Sequence, residues 1–176
     1  MDVGFVEQLA AARIGSTYNQ YAESPLRRGR LAAYLVEKDA APILLVAEAP
    51  GYRGTRVSGI PLTSERQLTG AGPAEATATI VHRVLTELGL ADKVLLWNLV
   101  PTHPGTSTSN RPPTGDEMDA GEVFLAPLVR GRLVIPVGRL AHARLGGRYV
   151  RHPSHGGAPA FRHGLAAALN APAAVA

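Results

Sequence analysis

Nothing in this sequence can form a disulfide, because its 176 residues include no cysteine. The same absence removes thiolate zinc sites and cysteine-held iron–sulfur clusters. Lysine is nearly missing as well: Lys38 and Lys93 stand alone, and arginine carries almost all the positive charge. Long apolar runs are lacking. Ile43 to Ala47 and Leu165 to Leu169 fall far short of the roughly 20 residues that a membrane span needs. The opening MDVGFVEQLAAAR has an acid at position 2 and no basic leader, and reads as an amphipathic helix rather than a secretion signal. No internal repeat and no low-complexity linker interrupts the chain. The expectations are therefore a single domain over 1–176, a cytoplasmic location, no membrane association and a monomer.

Hydrophobic residues make up 45% of the chain and charged residues 18%, which supports a packed interior at this length rather than disorder. The formal net charge is +4. A basic balance suits a polyanion such as nucleic acid. A composition rich in Ala, Arg, Gly and Pro accounts for it equally well.

Apolar periodicity predicts helices over 2–13, 27–38, 74–88, 139–145 and 159–169. A further helix starts at Thr114-Gly115-Asp116-Glu117, where threonine and glutamate have capping-box spacing. Short continuous apolar runs predict buried strands at 43–47, 94–97 and 133–137, with a last short strand at 148–151. The stretches 52–73 and 101–113 lack either pattern and read as long loops. Alternating strands and helices predict an α/β fold, three layers αβα around a central, mainly parallel four-stranded sheet. Such sheets bind ligands at the carboxyl ends of their strands. That rule selects Glu48, Asn98, Gly138 and His152, each of which directly follows a predicted strand.

This set holds a carboxylate, an amide, an imidazole and the backbone amides of glycine turns. It has no serine elbow and no cysteine for acyl chemistry, and no phosphate loop ending in lysine. It fits hydrolysis of an N-glycosidic bond. A carboxylate holds a water and favours positive charge growing on the sugar, while an imidazole and N–H groups stabilise the departing base anion. An asparagine amide sets one donor beside one acceptor. That pair matches the O4 and N3–H edge of uracil and mismatches cytosine.

Four segments in order, each at a strand end, carry a more specific resemblance. Val46-Ala47-Glu48-Ala49-Pro50-Gly51 resembles the first motif of the uracil-DNA glycosylase superfamily, closest to its Gly-Glu-Ala-Pro-Gly form. Asn98, followed by Asn110-Arg111-Pro112-Pro113 and Glu117, is similar to the second segment. Val137-Gly138-Arg139-Leu140-Ala141 resembles the turn before the last motif, and His152-Pro153-Ser154 resembles that motif itself. The agreement runs from about residue 42 to residue 168.

The resemblance implies catalytic roles for Glu48, which would orient water or stabilise the sugar cation, and His152, which would stabilise the anionic uracil oxygen. It implies base binding by Ala49, Gly51, Tyr52, Leu62 and Asn98. It implies DNA contacts by Arg111, Gly138, Ser154, His155 and Gly156, with Ser154 on a phosphate and the loop after it entering the space the flipped base has left; Arg53, Arg56 and Arg66, which sit in the long loop after the first strand, are further candidates for DNA contact. The implied partner is DNA carrying uracil or a related damaged base; no cofactor and no metal are implied.

The sequence departs from the closest form at several points. The cluster cysteines are absent, and Ala47 replaces the first glycine. Tyr52-Arg53-Gly54-Thr55-Arg56 stands where that class has an acidic pair. Leu62 stands where a phenylalanine stacks on the base, His155 replaces a bulky wedge, and Gly51 lies where some members set a tyrosine against the 5-methyl of thymine. Three other readings stay open: a glycosylase for hypoxanthine, xanthine or another damaged base, a DNA-binding relative without catalysis, and a nucleoside or phosphate-ester hydrolase. Structural roles stay open too, with Glu48 as an ordinary strand-end acid, Asn98 as a turn former and Leu62 as loop packing. Trp97 reads as core.

Overall fold

Five apolar residues with no polar interruption, Ile43–Ala47, form strand β1, buried at every position. The computed structural model describes residues 3–170; position 2 of the expected first helix, and 171–176 of the expected domain, lie outside them. Strand β2 is Val94–Asn98 and β3 is Leu133–Pro136. The sheet order is β2-β1-β3, and both pairings are parallel. Ala47 pairs with Asn98, and Val46 with Pro136. The strands therefore end nearly flush, and the residues that follow them emerge along one rim.

The helices are α1 (Val3–Ala11), α2 (Pro25–Glu37), α3 (Thr55–Ser58), α4 (Glu65–Thr69), α5 (Ala76–Glu87), α6 (Gly115–Val129), α7 (Arg139–Leu145) and α8 (Ala158–Asn170). Alternation along β1 feeds two cores. Leu44 and Val46 join Leu9, Leu31, Leu35, Phe124 and Leu128 from α1, α2 and α6. Leu45 and Ala47 join Val81, Leu85, Phe161 and Leu165 from α5 and α8. Each of these valines, leucines and phenylalanines contributes roughly 1.5–3 kcal/mol when fully buried. Trp97 is core, with Phe5 at 5.9 Å. Strand β2 lies at the edge of the sheet, where its Leu96 N–H donates to Tyr34 Oη at 2.7 Å.

Two expectations need correction. Among the described residues the sheet has three strands, not four. The predicted strand at 148–151 shrinks to one parallel bridge, Val137 to Val150. It is confined between Gly146-Gly147, both with positive φ, and Pro153, which has no N–H and restricts the residue before it. The stretch 52–73 is not all loop: it contains α3 and α4. Helix α4 follows Ser64, whose N–H and hydroxyl both donate to Gln67 Oε1 at 2.8 Å. Among the described residues no helix is long and apolar enough to cross a membrane.

Candidate active site

The turn after β1 is held from two sides. Leu99 N–H donates to the Ala47 carbonyl at 2.8 Å and Val100 N–H to the Glu48 carbonyl at 3.2 Å. The buried ring of His103 sits between the Pro50 and Thr106 carbonyls, at 2.7 and 2.8 Å. Tyr52 N–H donates to Asn110 Oδ1 at 2.9 Å. The loop over 101–113 thus clamps Glu48 to Tyr52 in place. His103 carries no motif signal and went unseen in the sequence.

This turn forms one wall of a cleft of about 840 Å³ at the carboxyl rim of the sheet. Glu48, Asn98 and His152, far apart in the chain, all line it. Glu48 is half-buried, and burial pushes its carboxyl above the usual carboxylate range. Asn98 is 2% exposed, and neither Nδ2 nor Oδ1 has a hydrogen-bond partner among the described residues. Buried amides are rarely left this way, and a ligand is one physical reason to tolerate it. Ser154 N–H donates to His152 Nδ1 at 3.2 Å. A backbone N–H can only donate, so a neutral His152 carries its proton on Nε2. Burial first, then the charges of Arg151 and His155, hold the imidazole below its ordinary pKa and favour that neutral form.

Backbone strain collects here as well. Among the described residues the only non-glycine residues with positive φ are Leu62 (52°) and His155 (51°), and both line the cleft. Such conformations persist where the surroundings over-determine them, often at functional sites. Leu62 is pinned by its N–H, which donates to Thr55 Oγ1 at 3.1 Å. Gly138 has φ of 92° and passes beside the His152 side chain.

Of the other expected site residues, Ala49, Gly51, Ser154 and Arg111 also line the cleft. Arg111 brings no free charge to it: its guanidinium donates to both Glu117 oxygens, at 2.8 and 2.5 Å. Ser154 Oγ lies 2.8 Å from His152 Nδ1 and 3.1 Å from His155 Nδ1, so the hydroxyl is engaged within the loop. Tyr52, Arg53 and Arg56 do not face the cleft. They line an adjoining groove of about 710 Å³ with Arg66. Gly156 turns the chain, with φ of 74°, outside both linings. Glu75 lines the cleft and belongs to no motif. Among the described residues no three His, Asp or Glu side chains gather as a metal ion requires.

The sequence profile of the Uracil DNA glycosylase superfamily matches residues 35–173. The chain belongs to that superfamily. Its members are DNA glycosylases, hydrolases that act on DNA. With no cysteine, this one lacks the iron–sulfur cluster of the class its first motif most resembles. No curated protein sequence matches it. Its fold is similar to that of wild-type Pedobacter heparinus SMUG2, with a TM-score of 0.66 at 13% identity, over 96% of this chain and 98% of that one.

Proposed function

We propose that this glycosylase removes uracil from DNA by direct attack of water. The observation that carries the proposal is the buried Asn98 amide, which shares the cleft with Glu48 and His152 and whose donor and acceptor have no partner among the described residues. A flipped uracil would satisfy both atoms through its O4 and N3–H edge. Glu48, ionised, orients the water and stabilises positive charge on the sugar. The water oxygen bonds to C1′ as the C1′–N1 bond breaks, and the electron pair leaves with the base. Glu48 takes the water's proton. His152, neutral and protonated on Nε2, stabilises the base oxygen that gains charge. Solvent finally protonates the uracil anion. The arginine groove would carry the DNA strand beside the cleft.

The test uses purified protein on a uracil-containing oligonucleotide, followed by alkaline cleavage of abasic sites. Wild type should yield cleavable product without added metal. Glu48→Gln should slow single-turnover excision by roughly 10²- to 10⁴-fold at unchanged melting temperature. If wild type yields no abasic sites, or if Glu48→Gln matches it, the uracil reading fails.

A further inference from the structure

Glu75 lies directly before α5, yet its side chain does not turn back to cap the helix. It reaches instead to the loop that follows β1. A Cβ on Gly51 would collide with Glu75 Oε1, and a Cβ on Gly54 with Oε2. Two bare positions thus make a niche, and the Glu75 carboxyl fills it. The same two glycines close a turn. The Gly51 carbonyl accepts from Gly54 N–H at 3.1 Å and from Arg56 N–H at 3.3 Å, at the entry to α3. This turn begins three residues after Glu48. Loop 101–113 grips it through the His103 ring on the Pro50 carbonyl and through Asn110 on Tyr52 N–H. The carboxyl from α5 is a further support, applied where the turn has no side chains of its own. Among the described residues no cation and no hydrogen-bond donor partners this carboxyl, and burial pushes its pKa up to about 7.

We propose that Glu75 is a positioning residue for the attack of water: its neutral carboxylic acid, seated between Gly51 and Gly54, holds the turn that sets Glu48, and ionisation draws it out of the niche and frees that turn. The inference rests on the glycosylase reading and deepens it. A neutral acid packs in a niche without donors at little cost. A carboxylate there gives up its hydration and receives nothing in exchange. Solvent in the cleft, and the guanidinium groups of the groove that Pro73 and Ala74 help to line, supply what the niche lacks. Glu75 acts through Glu48 and takes no proton from the reacting atoms. A displaced Glu48 leaves water poorly aimed at C1′, and misplacement of about 1 Å slows such steps by roughly 10²-fold.

The sign of the pH effect separates Glu75 from the groups that do chemistry. Glu48 acts ionised and His152 acts neutral, and both conditions improve as pH rises. Neither gives a rate that falls above neutrality. Loss of the Glu75 proton does, through about pH 7. The remaining charged or titratable groups around it are Arg111, Arg139, Arg151 and His155 on the cleft and Arg53, Arg56 and Arg66 in the groove. His103 stands on the loop over 101–113, Glu65 on α4 and His82 on α5. Any of these acts alike in wild type and in a variant that differs only at Glu75.

The experiment measures single-turnover excision of uracil at saturating enzyme between pH 6.5 and 8.5. The wild-type rate should fall about tenfold across that range, as one ionisation centred near 7 requires. Glu75→Gln fills the niche and cannot ionise, so its rate should match wild type at pH 6.5 and not fall above it. Glu75→Ala should be slow throughout, by roughly 10- to 100-fold at pH 6.5, with the enzyme concentration for half-maximal rate unchanged. Melting curves report whether each variant is folded. The amide NMR shifts of Gly51 and Gly54 should titrate with a midpoint near pH 7 in wild type and stay fixed in Glu75→Gln. A wild-type rate that does not fall, a fall that Glu75→Gln shares, or glycine shifts that do not titrate overturns the inference while the uracil reading stands. No uracil excision by wild type at any pH removes both.

Discussion

A buried polar atom without a partner costs a folded protein about 1–3 kcal/mol, and Asn98 leaves two such atoms under the cleft floor. Under the proposed function that cost belongs to the free protein and would be relieved by a bound base. Asn98→Leu keeps the volume and removes the orphaned groups. Its thermal melting temperature should hold or rise, while uracil excision falls roughly 10- to 100-fold, the equivalent of about 1.5–3 kcal/mol of lost hydrogen bonding. A clear loss of thermal stability would instead make the amide a structural group. Trp97 Nε1, the preceding residue's indole nitrogen, is also buried without a partner among the described residues; its ring packs against Phe5 within the core.

At the level of elements, the Glu75 side chain joins the start of α5 to the loop that follows β1. Gly51→Ala would push the Glu75 carboxyl out of its niche and should cost about 1–3 kcal/mol, as overpacking does. In a Glu75→Ala background the same change should cost under about 0.5 kcal/mol, because the space is vacant. Denaturant unfolding of the four proteins measures this; equal costs in both backgrounds would deny the contact. The first turn of α6 makes a second junction. Glu117 is 2% exposed and accepts from Arg111, from Thr114 N–H at 3.0 Å and from Ser16 N–H at 3.3 Å. The Arg111 guanidinium first, helped by these N–H donors, holds its pKa down to about 2. A depressed acid stabilises the fold above its unfolded pKa of 4.5 and loses that stabilisation as pH falls from there toward 2. The amount is roughly 3 kcal/mol. Glu117→Gln should be less stable than wild type at pH 7, and the gap should close on acidification to pH 2. A gap that does not change with pH would show that ionisation of Glu117 contributes nothing.

For the whole molecule, the net charge of +4 matters less than where the arginines stand. Arg144 is paired with Asp119 and Glu122, and Arg30 with Glu65. Arg53, Arg56 and Arg66 form no ion pair within the described residues and share one groove beside the cleft. Arg56 stacks over the Tyr18 ring at 4.6 Å and Arg53 over Tyr52 at 5.5 Å, which presents both guanidinium groups on aromatic supports. Changing all three to alanine should weaken duplex binding and make the plot of log affinity against log salt shallower by about 2–3 units. Fluorescence anisotropy between 50 and 200 mM salt reads this. An unchanged slope would send the DNA elsewhere on the surface.

Local chemistry in the sequence determined strands β1 to β3 and the helices outside 52–73, the two apolar faces of the sheet, and the placing of Glu48 and Asn98 at strand ends. An uninterrupted apolar run, a capping pair such as Thr114 and Glu117, and a helical repeat of leucines each act within a few residues, so each can be read from spacing. Tertiary structure alone decided the rest. It cut the fourth strand to one bridge and gave Arg111's charge to Glu117. It set His103 under the turn after β1 and brought Glu75 against Gly51 and Gly54. These outcomes depend on which groups meet across space when the layers close, and on which polar atoms that closure leaves without a partner. No periodicity along the chain encodes either.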